Sequence, residues 1–123
     1  MEQRLRGLVV EDDDATRTLF RQSFGDEDIE VLCVSHDGLP ATASFAFVLT
    51  DLPGGLVYSS DGAIAWVSML RERYNAPVVV LTGRPEAESD EILRRAATVL
   101  IKPPELSELI AHVRRVRTTR ATS

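Results

Sequence analysis

The sequence holds a single cysteine, Cys33, so no disulfide can close within the chain, and no Cys/His spacing suited to zinc accompanies it. A reducing, cytoplasmic setting is the expectation. Glycine and proline are few, at 7 and 6, which excludes a collagen-like or low-complexity chain. Long apolar runs are absent: the strongest, Val78 to Leu81, is far below the roughly 20 residues that a membrane helix needs. The stretch Met1 to Gly7 carries charge with no apolar segment behind it, so neither a membrane span nor an export signal is expected. Positive charge is in the minority, with 14 Lys and Arg against 19 Asp and Glu. Nonspecific binding to nucleic-acid backbone, which depends on a basic surface, is therefore not expected. What is present, 44% hydrophobic and 27% charged residues in 123, is the composition of one soluble globular domain over 1–123.

Hydrophobic periodicity sets out the elements. Leu5 to Val10 is a short apolar run that ends abruptly in Glu11, Asp12, Asp13 and Asp14, as a buried strand does on reaching a loop. Asp13 or Asp14 can cap a following helix over Asp14 to Phe24, in which Leu19, Phe20 and Phe24 recur at helical spacing. Ile29 to Val34 reads as the second strand and Asp37-Gly38 as a turn, leaving only Leu39 to Ser44 for a short second helix. A third strand, Phe45 to Thr50, runs into Asp51. Asp61-Gly62 opens a helix to about Tyr74 with Ile64, Val67 and Leu70 on one face and Trp66 in the core. Pro77 to Leu81 is the clearest strand, Pro85 to Ala97 a helix, Val99 to Ile101 a fifth strand, and Leu106, Leu109, Ile110, Val113 and Val116 stripe a last helix. Strands alternating with helices predict a parallel α/β sheet covered on both faces. No glycine-rich phosphate loop is present.

In such a sheet the functional crevice lies beyond the carboxyl ends of the strands. The first strand ends in Glu11 and Asp12, the third in Asp51, the fourth in Thr82 and the fifth in Lys102-Pro103. Any one of these acids would ordinarily read as a helix cap, and Lys102 alone as a solvated lysine. Four strand ends supplying complementary groups together point to a site. Three carboxylates at one edge repel unless a cation compensates, and hard oxygen donors in an open site favour Mg²⁺ over zinc. With Glu11 and Asp12 on the ion, Asp51 would be free to attack phosphorus, with Lys102 and the Thr82 hydroxyl neutralising the transferred group. His36, His112 and Cys33 read as structural or exposed residues.

Leu8-Val9-Val10-Glu11-Asp12-Asp13, Val48-Leu49-Thr50-Asp51, Pro77-Val78-Val79-Val80-Leu81-Thr82-Gly83 and Leu100-Ile101-Lys102-Pro103 resemble, in order and across nearly the whole chain, the receiver domains of two-component response regulators. The resemblance implies a flavodoxin-like (βα)5 fold with strand order 2-1-3-4-5. It implies Asp51 as phosphoacceptor, Thr82 as switch hydroxyl, Lys102 as the phosphoryl-contacting lysine, and Mg²⁺ held by Glu11, Asp12, Asp51 and the backbone carbonyl of Pro53. A cis Lys102-Pro103 bond is implied too. The expected partners are a histidine kinase or phosphotransfer protein and a downstream protein or an output domain outside this chain. Dimerisation through the face of the fourth helix, fifth strand and fifth helix is a further expectation.

The sequence also departs from that family. The loop after Asp51 is rebuilt around Pro53-Gly54-Gly55, and the Asp-Gly that usually follows closely comes only at Asp61-Gly62. The second and fourth helices are shortened. Val99 stands where an aromatic ring usually reports the state of the threonine, and Arg84 adds a cation near Thr82. The expected function is a phosphorelay receiver that promotes its own Mg²⁺-dependent phosphorylation and dephosphorylation without being an enzyme on another substrate. A phosphorylation-independent interaction module is the alternative. A Mg²⁺-dependent phosphohydrolase is disfavoured because Pro53 stands where its general acid would be.

Overall fold

Five parallel strands form the centre of the computed structural model, which describes residues 5–41, 44–53, 57–102 and 106–122. The elements are β1 (Leu5–Val10), α1 (Asp14–Asp26), β2 (Ile29–Val34), β3 (Phe47–Thr50), α2 (Ser60–Tyr74), β4 (Val78–Thr82), α3 (Pro85–Glu88), α4 (Glu91–Ala96), β5 (Thr98–Ile101) and α5 (Leu106–Thr122). The strand order is β2-β1-β3-β4-β5, as the resemblance implies. Burial explains the order: β3 and β4 are buried at every position and lie inside the sheet, where continuous Val and Leu runs have cover on both faces.

Alternation along the strands divides the core in two. Val9, Phe47, Leu49, Val79 and Leu81 face Phe20 and Phe24 of α1 and Leu109, Ile110 and Val113 of α5. Leu8, Val10, Val48, Val78 and Val80 face Val67, Leu70 and Tyr74 of α2, with Ala87 and Leu93 from α3 and α4. Gly7 is required by close approach, because a Cβ there would lie 2.0 Å from the Phe47 ring. Asp13 caps α1 by accepting from the Thr16 amide, and Ser59 caps α2 by accepting from Gly62. Asn75 ends α2 in the left-handed conformation (φ 48°).

Two connections differ from the sequence reading. The shortening of the second helix goes to completion: among the described residues between β2 and β3 there is no helix. Gly38 instead closes a turn on the Ser35 carbonyl at 3.0 Å. Pro40 lacks an amide to continue a helix, and the Tyr74 hydroxyl donates to its carbonyl at 2.6 Å. The expected helix over Pro85 to Ala97 is broken at Ser89–Asp90, because the Asp90 carboxylate accepts from the Leu93 amide and starts α4 afresh. β3 begins at Phe47, leaving Phe45 to pack edge-on against Tyr74 at 5.5 Å between ring centres. The Lys102-Pro103 peptide bond and Gly54-Gly55 lie outside the described residues.

Candidate functional site

Strand pairing carries the polar residues to one edge. Val10 pairs with Thr50, the Asp51 amide continues the ladder to the Val10 carbonyl at 2.9 Å, and the Glu11 amide reaches Val34 across β2 at 2.9 Å. On the far side the Lys102 amide donates to the Thr82 carbonyl at 2.9 Å, extending β5 along β4. From this position the Lys102 ammonium donates to Glu11 Oε2 at 2.7 Å and to Asp51 Oδ2 at 3.1 Å. The Glu11 side chain is only 5% exposed, against 25% for Asp51 and 27% for Lys102. Burial works against the ammonium, but the hydrogen bonds and charges of Glu11 and Asp51 outweigh it and hold the Lys102 pKa above its ordinary value. Asp51 Oδ1 meanwhile accepts from the Leu52 amide at 2.9 Å. Two carboxylates sharing one ammonium leave this cluster with a net negative charge.

Asp12 is placed differently. Its carboxylate, 64% exposed, turns toward the segment after β2, where Oδ1 accepts from the His36 amide at 2.9 Å. Oδ2 lies 2.9 Å from His36 Nδ1, at ion-pair distance but without the alignment of a hydrogen bond. The His36 amide is the main reason the Asp12 pKa sits below the usual carboxylate range, with the ring adding to it. The other ring nitrogen, Nε2, faces the Asp51 carbonyl at 3.0 Å and so donates to it. The Trp66 indole lies against the imidazole at 5.3 Å between ring centres, and its N–H donates to Thr50 Oγ1 at 3.0 Å. Thr50 in turn donates to the same Asp51 carbonyl at 2.6 Å. Arg17 fixes the loop from the α1 side, donating to the carbonyls of Glu11 at 2.7 Å and Asp12 at 3.1 Å and pairing with Asp14.

Thr82 is buried at the end of β4, and its hydroxyl oxygen accepts from the Arg84 amide at 3.2 Å. Arg84 also lines a small cleft with Tyr58, Gly62 and the exposed Pro53. Next to that cleft, Tyr58 and Ser60 donate to Asp90 Oδ2 at 2.7 and 2.5 Å. Burial together with the Asp90 carboxylate pushes the Tyr58 phenol up to about 12. Val99 is half-buried against the α2 and α4 side of the core.

The chain superposes on solved receiver domains over nearly its whole length. The signal receiver domain of an HD domain-containing protein from Pseudomonas fluorescens matches with a TM-score of 0.73 at 16% identity, covering 98% of this chain and 100% of that one. The receiver domain of the Francisella response regulator 1452 matches at 0.72 and 17%, covering 94% and 98%. The fold is that of a receiver domain. A third receiver-fold structure, the response regulator TrrA from Thermotoga maritima in complex with Mg(2+)-BeF, matches at 0.68 and 20%, covering 91% and 98%. The sequence itself matches no protein-family model and no curated protein.

Within this receiver fold, the strand-end residues Glu11, Asp51 and Lys102 meet directly, Thr82 lies at the neighbouring strand end, and Asp12 is drawn off by His36. The sequence reads His36 as a structural or exposed residue and Trp66 as core, and assigns no site role to Arg17 or Thr50. A signal for His36 exists in the sequence, since β2 also reaches the sheet edge and ends in Val34-Ser35-His36. Among the described residues, no three carboxylate, imidazole or thiol groups stand close enough to hold a metal ion as arranged. In kind, however, the donors fit Mg²⁺: Glu11 and Asp51 are hard oxygen ligands, and their shared ammonium leaves negative charge uncompensated.

Proposed function

We propose that the chain is a phosphoacceptor switch of two-component signalling, taking a phosphoryl group on Asp51 from a histidine kinase or phosphotransfer protein. The observation that carries this reading is the Lys102 ammonium held between Asp51 and the buried Glu11 at the strand ends of a receiver fold. In the transfer, an Asp51 carboxylate oxygen forms a bond to phosphorus while the P–N bond of the donor phosphohistidine breaks and its electron pair returns to the imidazole. The product is an acyl phosphate, which water later cleaves to Asp51 and inorganic phosphate. Lys102, already against Asp51, is positioned to neutralise the oxygens of the transferred group, and the Thr82 hydroxyl lies at the adjacent strand end. Glu11 and Asp51, with Asp12 when released from His36, would hold Mg²⁺, which supplies charge neutralisation for the phosphoryl oxygens when bound.

Downstream, the surface around α4, β5 and α5 would carry the signal to a protein partner or output domain. The test is intact-mass spectrometry after incubation with Mg²⁺ and acetyl phosphate. One added phosphoryl group is expected on the wild type and none on Asp51→Asn. No adduct from acetyl phosphate or from histidine kinases would leave a phosphorylation-independent interaction module in its place.

A further inference from the structure

The commitment of Asp12 to His36 has a chemical consequence at the edge of the sheet. Both Asp12 oxygens face one residue, and that residue is fastened on its other sides: Nε2 to the Asp51 carbonyl at 3.0 Å and the ring face to Trp66 at 5.3 Å. The His36 side chain is 12% exposed, so its position is set by packing as well as by hydrogen bonds. Asp12, by contrast, has an exposed side chain and can leave His36 by a side-chain rotation. A divalent cation arriving at Glu11 and Asp51 would gain a third carboxylate only by taking it from this pair.

We propose that His36 is a positioning residue that competes with Mg²⁺ for Asp12, so that the site exchanges between a latched form, with Asp12 on His36, and an armed form, with Asp12 on the cation. Asp12 serves one of the two at a time. Because the cation draws fully on the armed form alone, the apparent affinity falls by the fraction of molecules that are latched. The same contact reaches the backbone of Asp51, so the latch joins the cation site to the phosphoacceptor without touching its carboxylate. The term "armed" rests on the phosphoacceptor reading above; the competition for Asp12 does not.

The test is a Mg²⁺ titration of the full chain by isothermal calorimetry, with the fluorescence of Trp66, the one tryptophan, as a second signal. Wild type is compared with His36→Ala and with His36→Phe, which keeps a ring against Trp66, each first shown to be folded by circular dichroism. Both variants keep the His36 amide on Asp12 Oδ1 and remove the ring nitrogen that faces Oδ2, which is expected to tighten Mg²⁺ binding by about threefold to tenfold. In an Asp12→Asn background the same substitutions should leave the affinity unchanged. Equal affinities in wild type and both variants, weaker binding in the variants, no binding in any of them, or a gap that persists without the Asp12 carboxylate would each overturn the latch. Acetyl phosphate labelling is run in parallel at saturating Mg²⁺. Failure to label any of the proteins sinks the phosphoacceptor reading, while the titration still decides the latch.

Discussion

Two polar networks flank the strand ends, and they are fastened to different things. On the β1 and β3 side, Arg17, His36 and Thr50 terminate on the backbone or carboxylates of Glu11, Asp12 and Asp51, and Trp66 joins them by donating to Thr50. On the β4 side, Tyr58 and Ser60 terminate on Asp90, which ties the start of α2 to the break between α3 and α4. The first network holds the groups that would do chemistry; the second holds helices to each other. Disturbing the first should therefore change what the site binds and how fast it reacts, and disturbing the second should change stability alone.

The largest separation is expected at Lys102. Lys102→Met leaves the Glu11 and Asp51 carboxylates facing each other without a counter-ion. Loss of one partner from a half-buried pair should lower unfolding free energy by about 2 to 4 kcal/mol in urea titrations. Phosphoryl uptake from acetyl phosphate should slow by about a hundredfold, as when an electrostatic donor is removed from a reacting centre. Adding Glu11→Gln should recover part of the stability and none of the rate. A smaller effect is expected at Tyr58→Phe, which removes one hydrogen bond to Asp90 and should lower stability by about 1 kcal/mol. The labelling rate should stay at the wild-type value; a tenfold change would erase the contrast between the networks.

The smallest effect is in alkaline solution. The folded chain holds the Tyr58 proton up to about 12, whereas the unfolded chain releases it at the ordinary value of 10. Between these limits the native state binds more protons, so stability falls as pH rises from about 10 to about 12. The raised Lys102 pKa acts in the same direction, its contribution being present below 10.5 and lost as pH passes the folded value. Unfolding midpoints measured across this window should fall less steeply for Tyr58→Phe than for wild type, and identical slopes would assign the whole fall to other groups.

The strand ends were legible because each buried run stops where the sheet stops: Val10 gives way to Glu11, Thr50 to Asp51 and Ile101 to Lys102. A continuous apolar run can be buried only inside the sheet, so its end locates the edge and the next residue locates the site. Which way a side chain turns at that edge was not legible. Glu11 and Asp12 are neighbours with the same chemistry, yet Glu11 folds in to Lys102 and Asp12 out to His36. That choice depends on where the segment after β2 passes, and the segment's path depends on a turn at Gly38 and a hydroxyl from Tyr74 far along the chain. The break in the helix after β4 was written in Ser89-Asp90-Glu91, a capping sequence that the surrounding helical residues outweighed.

The lack of a helix among the described residues between β2 and β3 also sets where the molecule opens. Without one, Glu30 and Leu32 of the edge strand β2 remain exposed on the α2 side, while Ile29, Val31 and Cys33 keep α1 beneath them. An edge strand covered on one face is the part of a sheet that separates at least free-energy cost, so amide exchange with solvent should be fastest in β2 and slowest in β3 and β4. His36 follows the strand expected to exchange fastest, and Asp51 follows one of the two expected to exchange slowest. The contact between them therefore joins the two ends of that expected range.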